Sequence, residues 1–142
     1  MTILVIEDSR LLRTAIGRML GKAGHDVVAV GDGQEGVLRA QDVHPDVILL
    51  DMMLPTLEGT GVLRLLKKNA STKQIPVVVL SGLSQKNERK LKADGAAGFL
   101  PKSVIDLNGD GAPFVAALEP FLPRTENATG PASLAASTAS LG

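Results

Sequence analysis

Apolar residues gather in five short runs: Ile3–Ile6, Val27–Val30, Val47–Leu50, Val77–Leu80 and Gly98–Leu100. The first four are rich in Val, Ile and Leu and do not alternate cleanly. Continuous apolar runs of this length suit strands buried on both faces, as in a parallel sheet. The fifth is weaker, because Gly98 and Pro101 flank a two-residue apolar core. Between the runs the period changes. Ser9–Lys22 places Leu12, Ala15, Ile16, Met19 and Leu20 on one helical stripe, with Arg10, Arg13 and Arg18 mostly elsewhere. Asp8 or Ser9 can cap that helix, and Gly24 lies just beyond it. Gly33–Gln41 and Gly61–Lys68 read as a second and third helix. Ser84–Asp94 reads as a fourth, with Leu91 its only large apolar residue, so it is weakly anchored. A fifth runs from about Pro113 to Leu122, its regularity limited by Pro120.

Strands alternating with helices five times over predict an α/β fold: a flavodoxin-like, doubly wound, five-stranded parallel sheet with about five helices. Right-handed crossovers and the order 2-1-3-4-5 are the natural solution. The fifth strand is then an edge, where Pro101 is tolerated. From Arg124 the composition shifts to Ala, Ser and Thr. Residues 1–123 are therefore expected to form one folded domain, and 124–142 a flexible tail or linker.

Composition narrows the function. Lys and Arg number 15 and so do Asp and Glu, giving zero formal charge, which argues against general nucleic-acid binding. The chain has no Cys, so disulfides, thiol catalysis and Cys-based zinc sites are excluded. Three Phe are its only aromatics, too few for base-stacking platforms. Neither a membrane span nor a signal peptide is legible, and a cytoplasmic location is expected.

In open α/β sheets ligands bind beyond the carboxyl ends of the strands. Glu7 and Asp8 follow the first strand, Asp51 ends the third, Ser81 ends the fourth and Lys102 follows the fifth. Each residue alone has a plain explanation. Asp8 is a helix cap, Glu7 a solvated loop acid, Ser81 a turn residue and Lys102 a surface lysine. Asp51 is harder to dismiss, because Met52-Met53-Leu54-Pro55 gives it no helix to cap. Together, three carboxylates on one edge raise one another's pKa and call for compensation. Lys102 and a hard divalent cation can supply it, and an all-oxygen site suits Mg²⁺ better than Zn²⁺. A carboxylate beside such a metal can act as a nucleophile towards phosphorus.

In this order and spacing, ILVIEDS, VILLDMMLPTLEG, VVVLSG and GFLPK resemble the receiver domain of two-component response regulators. The resemblance covers Met1 to about Leu122. It implies that Asp51 is the phosphoacceptor and that Glu7 and Asp8 hold Mg²⁺ with Asp51 and the Met53 backbone carbonyl. It implies a switch hydroxyl at Ser81, a switch aromatic at Phe99 and a phosphoryl-pairing lysine at Lys102. Pro55 and Gly59 would shape the rim. The implied partners are a sensor histidine kinase or histidine phosphotransfer protein and an output protein, without direct nucleic-acid or membrane contact. The 19 residues after Pro123 are too few for an effector domain, so output is expected through partner affinity.

Three departures from the family pattern stand out. Pro101-Lys102-Ser103 reverses the usual Lys-Pro order, VIDLNGDGAP lengthens the loop before the last helix, and the acidic pair is Glu-Asp. The lengthened loop, Asp106-Leu107-Asn108-Gly109-Asp110-Gly111, begins like a calcium loop, but Ala117 stands where the bidentate Glu belongs, so a polar turn is expected. Met53 and Leu83, two residues past Asp51 and Ser81, carry no group that could orient water, which implies a long-lived phosphoryl group. One alternative is the N-terminal receiver of a longer regulator cut in its linker. An aspartyl-nucleophile phosphatase would want a second Asp where Met53 stands. A nucleotide or flavin binder would want a Gly-rich loop where Glu7 and Asp8 stand.

Overall fold

The computed structural model describes residues 1–52, 54, 58–82 and 88–123. Its elements alternate as expected: β1 (Thr2–Ile6), α1 (Arg10–Lys22), β2 (Asp26–Val30), α2 (Gly33–Val43), β3 (Val47–Asp51), α3 (Gly59–Lys68), β4 (Val77–Ser81), α4 (Glu88–Ala93), β5 (Gly98–Pro101) and α5 (Ala112–Leu118). The five strands pair in parallel in the order β2-β1-β3-β4-β5. This is the flavodoxin-like arrangement that the alternation predicts.

The apolar runs are continuous because each strand feeds two cores. Side chains alternate across a strand, so odd and even positions part company. Ile3, Val5, Val47, Leu49, Val78, Leu80 and Leu100 join Ile16, Met19 and Leu20 of α1 and Phe114 and Leu118 of α5. Leu4, Ile6, Ile48, Leu50, Val77 and Val79 join Ala40 of α2, Val62, Leu63 and Leu66 of α3 and Leu91 of α4. Every residue of β3 and β4 is buried, whereas the edge strands β2 and β5 expose Asp26, Ala29 and Pro101. Edge exposure is what makes a proline harmless in β5.

Helix ends follow local chemistry. Of the two capping candidates Ser9 takes the role, its hydroxyl accepting from the Leu12 N–H at 3.2 Å. Asp8 is thereby left to other work. Asp32 caps α2 the same way, through the Glu35 N–H at 2.8 Å. Helix α3 starts at Gly59, two residues before its predicted start. At the far end of the chain, α5 stops at Leu118 and a 3-10 turn covers Glu119–Phe121, because Pro120 has no N–H to continue the ladder. The fourth helix is described only from Glu88, since 83–87 lie outside the described residues, and Leu91 is its one buried side chain. The tail beyond Pro123 also lies outside them. Among the described residues, no helix is long and apolar enough to cross a membrane.

Phe114 is the largest of the fully buried side chains and ties α5 to the sheet. Phe114→Ala should cost about 3–5 kcal/mol, read as a lowered midpoint in urea unfolding with an unchanged slope.

Candidate functional site

Parallel register brings the strand ends to one edge. Ile6 lies opposite Leu50, Asp51 opposite Leu80 and Ser81 opposite Pro101. The residues at or just past those positions are Glu7, Asp8, Asp51, Ser81 and Lys102. The structure therefore brings together the five residues singled out for chemistry.

Burial separates their roles. Glu7 is 1% exposed and Asp51 2%, while Asp8 is open to solvent. Glu7 is thus not the solvated loop acid that its position suggests. Its N–H continues the sheet by donating to the Val30 carbonyl at 3.0 Å, which draws the residue inward. Its Oε2 accepts from the Ser9 N–H at 3.0 Å. Its Oε1 is buried, accepts no hydrogen bond and faces Lys102 Nζ at 3.5 Å. Lys102 is equally unlike a free surface lysine. Its ammonium lies 3.0 Å from Asp51 Oδ1 and its side chain is 33% exposed.

The carboxylates of Glu7, Asp8 and Asp51 each offer an oxygen, and these oxygens all lie within 4.8 Å of one another. Oxygens on opposite sides of a Mg²⁺ ion are about 4.2 Å apart, at about 2.1 Å from the metal. The donor set is entirely oxygen, as a hard cation requires. The residues present therefore fit a divalent cation, and the buried Glu7 Oε1 is an acceptor with capacity to spare.

The proton equilibria record the crowding. Burial, above all, raises the Glu7 pKa above its ordinary value of 4.5, and the Asp51 charge adds to it. The Ser9 N–H and the Lys102 charge oppose the shift without cancelling it. For Lys102, burial pulls the pKa down, but the hydrogen bond to Asp51 and the charges of Glu7 and Asp51 outweigh it. Its pKa ends above 10.5, and the ammonium stays charged at neutral pH.

The remaining expected residues form the surroundings. Ser81 is buried at the end of β4. Phe99 is half-buried and packs against the α2–α3–α4 core. Gly59 opens α3 directly beneath the phosphoacceptor candidate: its N–H donates to the Met52 carbonyl at 3.1 Å, and a Cβ there would lie 2.7 Å from the Asp51 carbonyl oxygen. Met53, Pro55 and Leu83 lie outside the described residues. Lys102 opens a 3-10 turn over Lys102–Val104, and no peptide bond among the described residues is cis. The Asp106–Gly111 loop closes on itself, with Asp106 Oδ1 accepting from the Asn108 N–H and Asp110 Oδ1 from the Ala112 N–H, each at 3.0 Å. One residue escaped the sequence reading. Arg13, which reads as a charge on the solvent face of α1, reaches back to the carbonyls of Glu7 and Asp8.

Comparison with known proteins identifies the family and the fold. The family model described as "Response regulator receiver domain" matches residues 3–108. Protein PilH of Pseudomonas aeruginosa is 36% identical over 103 residues, covering 72% of this chain and 85% of PilH. Of several other relatives the match spans less than two thirds, down to 13% of one. The chemotaxis protein CheY4 of Vibrio cholerae superposes with a TM-score of 0.75 at 25% identity, covering 85% of this chain and 98% of CheY4. The receiver domain of the sensor histidine kinase PA1611 of Pseudomonas aeruginosa superposes with a TM-score of 0.72 at 26% identity, covering 84% and 95%. That structure has a magnesium ion coordinated in its active site cleft.

The raised Glu7 pKa has a consequence for stability. The fold holds this proton more tightly than the unfolded chain, so the native state loses stability as pH rises from about 4.5 through the raised value. Glu7→Gln removes that loss. In urea unfolding with EDTA, wild-type stability minus that of Glu7→Gln should fall with increasing pH; a difference independent of pH would contradict it.

Proposed function

Since the chain belongs to the response regulator receiver family, the phospho-accepting modules of two-component signalling, we propose that Asp51 is its phosphoacceptor. One observation carries the assignment: Asp51, buried at the end of β3, joins the three-carboxylate cluster and lies 3.0 Å from the Lys102 ammonium, closer than Glu7 at 3.5 Å. An Asp51 oxygen attacks the phosphorus of a phosphohistidine on a kinase or phosphotransfer protein. The P–O bond forms, the P–N bond breaks, and the imidazole leaves with a proton from water. The product is an aspartyl phosphate.

Glu7, Asp8 and Asp51 would hold Mg²⁺, with the Met53 carbonyl as the further ligand that the family resemblance implies. When bound, the ion neutralises carboxylate charge and offsets charge on the phosphoryl oxygens. Lys102 supplies the second positive charge and pairs with a phosphoryl oxygen after transfer. Ser81 then donates its hydroxyl to the phosphoryl group, and Phe99 follows, reshaping the β4–α4–β5 surface that meets the output protein. This makes the chain a signalling module rather than an enzyme, working in the cytoplasm. A receiver inside a longer regulator would use the same site.

Incubation with Mg²⁺ and acetyl phosphate should add one phosphoryl group by intact mass, and Asp51→Asn should abolish the addition. No addition, from acetyl phosphate or from candidate kinases, would sink the assignment. The lifetime of the label is a separate matter. Neither Met53 nor Leu83 can accept a proton from water. The label should therefore persist after donor removal, with slow decay followed by mass over time. Rapid Mg²⁺-dependent loss would refute this.

A further inference from the structure

Arg13 lies on α1, away from the carboxylates, yet its guanidinium turns back towards them. Its Nη1 donates to the Glu7 carbonyl at 2.9 Å and to the Asp8 carbonyl at 3.2 Å. Among the described residues it forms no ion pair with a carboxylate. The guanidinium is seated against Gly31, just after β2: a Cβ on Gly31 would lie 2.9 Å from Arg13 Nη1. Gly31 is not among the glycines with positive φ, so its backbone does not itself demand glycine. Its missing side chain makes room for the guanidinium.

The neighbouring bonds complete a clamp. The Glu7 N–H is tied to the Val30 carbonyl at 3.0 Å, and Glu7 Oε2 to the Ser9 N–H at 3.0 Å. Arg13 holds the carbonyl of the same residue and the carbonyl that follows it. The Glu7–Asp8 backbone is therefore fixed between α1 and the β2–α2 loop. An arginine bonded directly to the carboxylates would compete with a cation for their oxygens. Bonded to the carbonyls behind them, it leaves those oxygens available while fixing where they point.

We propose that Arg13, seated on Gly31, is a positioning residue that presents Glu7 and Asp8 to the divalent cation. The proposal rests on the reading of Glu7, Asp8 and Asp51 as the Mg²⁺ ligands. Loss of such a support typically weakens metal affinity about tenfold or more.

The test is a double-mutant cycle on Mg²⁺ affinity, read by isothermal titration calorimetry on the unphosphorylated protein. The variants are Arg13→Ala, Gly31→Ala and the pair, each checked by thermal unfolding in EDTA to be folded at the assay temperature. Arg13→Ala should raise the Mg²⁺ Kd about tenfold. Gly31→Ala should also raise it, because its Cβ displaces the guanidinium while every charge is kept. Once Arg13 is gone, Gly31→Ala should cost nothing further, so the two effects are not additive. A purely structural role would lower thermal stability without this pattern in Kd. If Arg13→Ala does not fold, Gly31→Ala alone carries the test. Unchanged or tighter binding in the variants, or additive effects, overturns the proposal with the site reading intact. A wild type that binds no Mg²⁺ overturns both.

Discussion

Three carboxylates on one edge of the sheet, two of them buried, are the constraint around which the rest is arranged. Glu7 and Asp51 lie almost wholly out of water, and Asp8 closes the group from outside. Burying charge without a partner is costly, and like charges at this range compound the cost. One ammonium, from Lys102, answers two of the three acids. Burial, the largest cause, still raises the Glu7 pKa despite that ammonium. A divalent cation on the same carboxylate oxygens would be the natural complement. The packed sheet is what makes the crowding tolerable. β3 and β4 are buried throughout, and cores on both faces lock the strand ends in register.

That dependence explains which features were legible beforehand. The strands could be read because a doubly buried strand must be apolar at every position, and Val47–Leu50 and Val77–Leu80 are. Helix α1 could be read because its stripe of Ala15, Ile16, Met19 and Leu20 meets a core on one side only. Topology then followed from the number of units, and topology placed the strand ends together. Asp51 stood out in the sequence because an acid ending so apolar a strand had no local purpose there.

What escaped the sequence has physical reasons too. Depth is not written in a single residue: Glu7 looks like any loop acid until its N–H is seen to extend the β1–β2 pairing. Asp8 and Ser9 are equal capping candidates on paper, and only the geometry assigns the cap to Ser9 and leaves Asp8 for the cluster. Arg13 carries no signal at all, since an arginine facing solvent and one facing a neighbouring carbonyl occupy the same helical position. Gly31 is silent for the same reason, because what it accommodates comes from a different element, helix α1.

In the proposed switch the route from the site to the surface runs through β5, and its place at the sheet edge matters. Lys102 follows that strand immediately, and Phe99 lies three residues earlier on it. Whatever redirects the ammonium from Asp51 to a phosphoryl oxygen acts on the chain that carries the aromatic. A central strand could not yield, because it is bonded on both sides; β5 is bonded only to β4. Beside it, α4 has six described residues and a single buried side chain, Leu91, so it holds this flank weakly. The acids follow or end β1 and β3, each bonded on both sides, whereas the lysine follows an edge strand. On the proposed reading, the sheet keeps its chemistry on doubly bonded strands and leaves its response to an edge bonded on one side only.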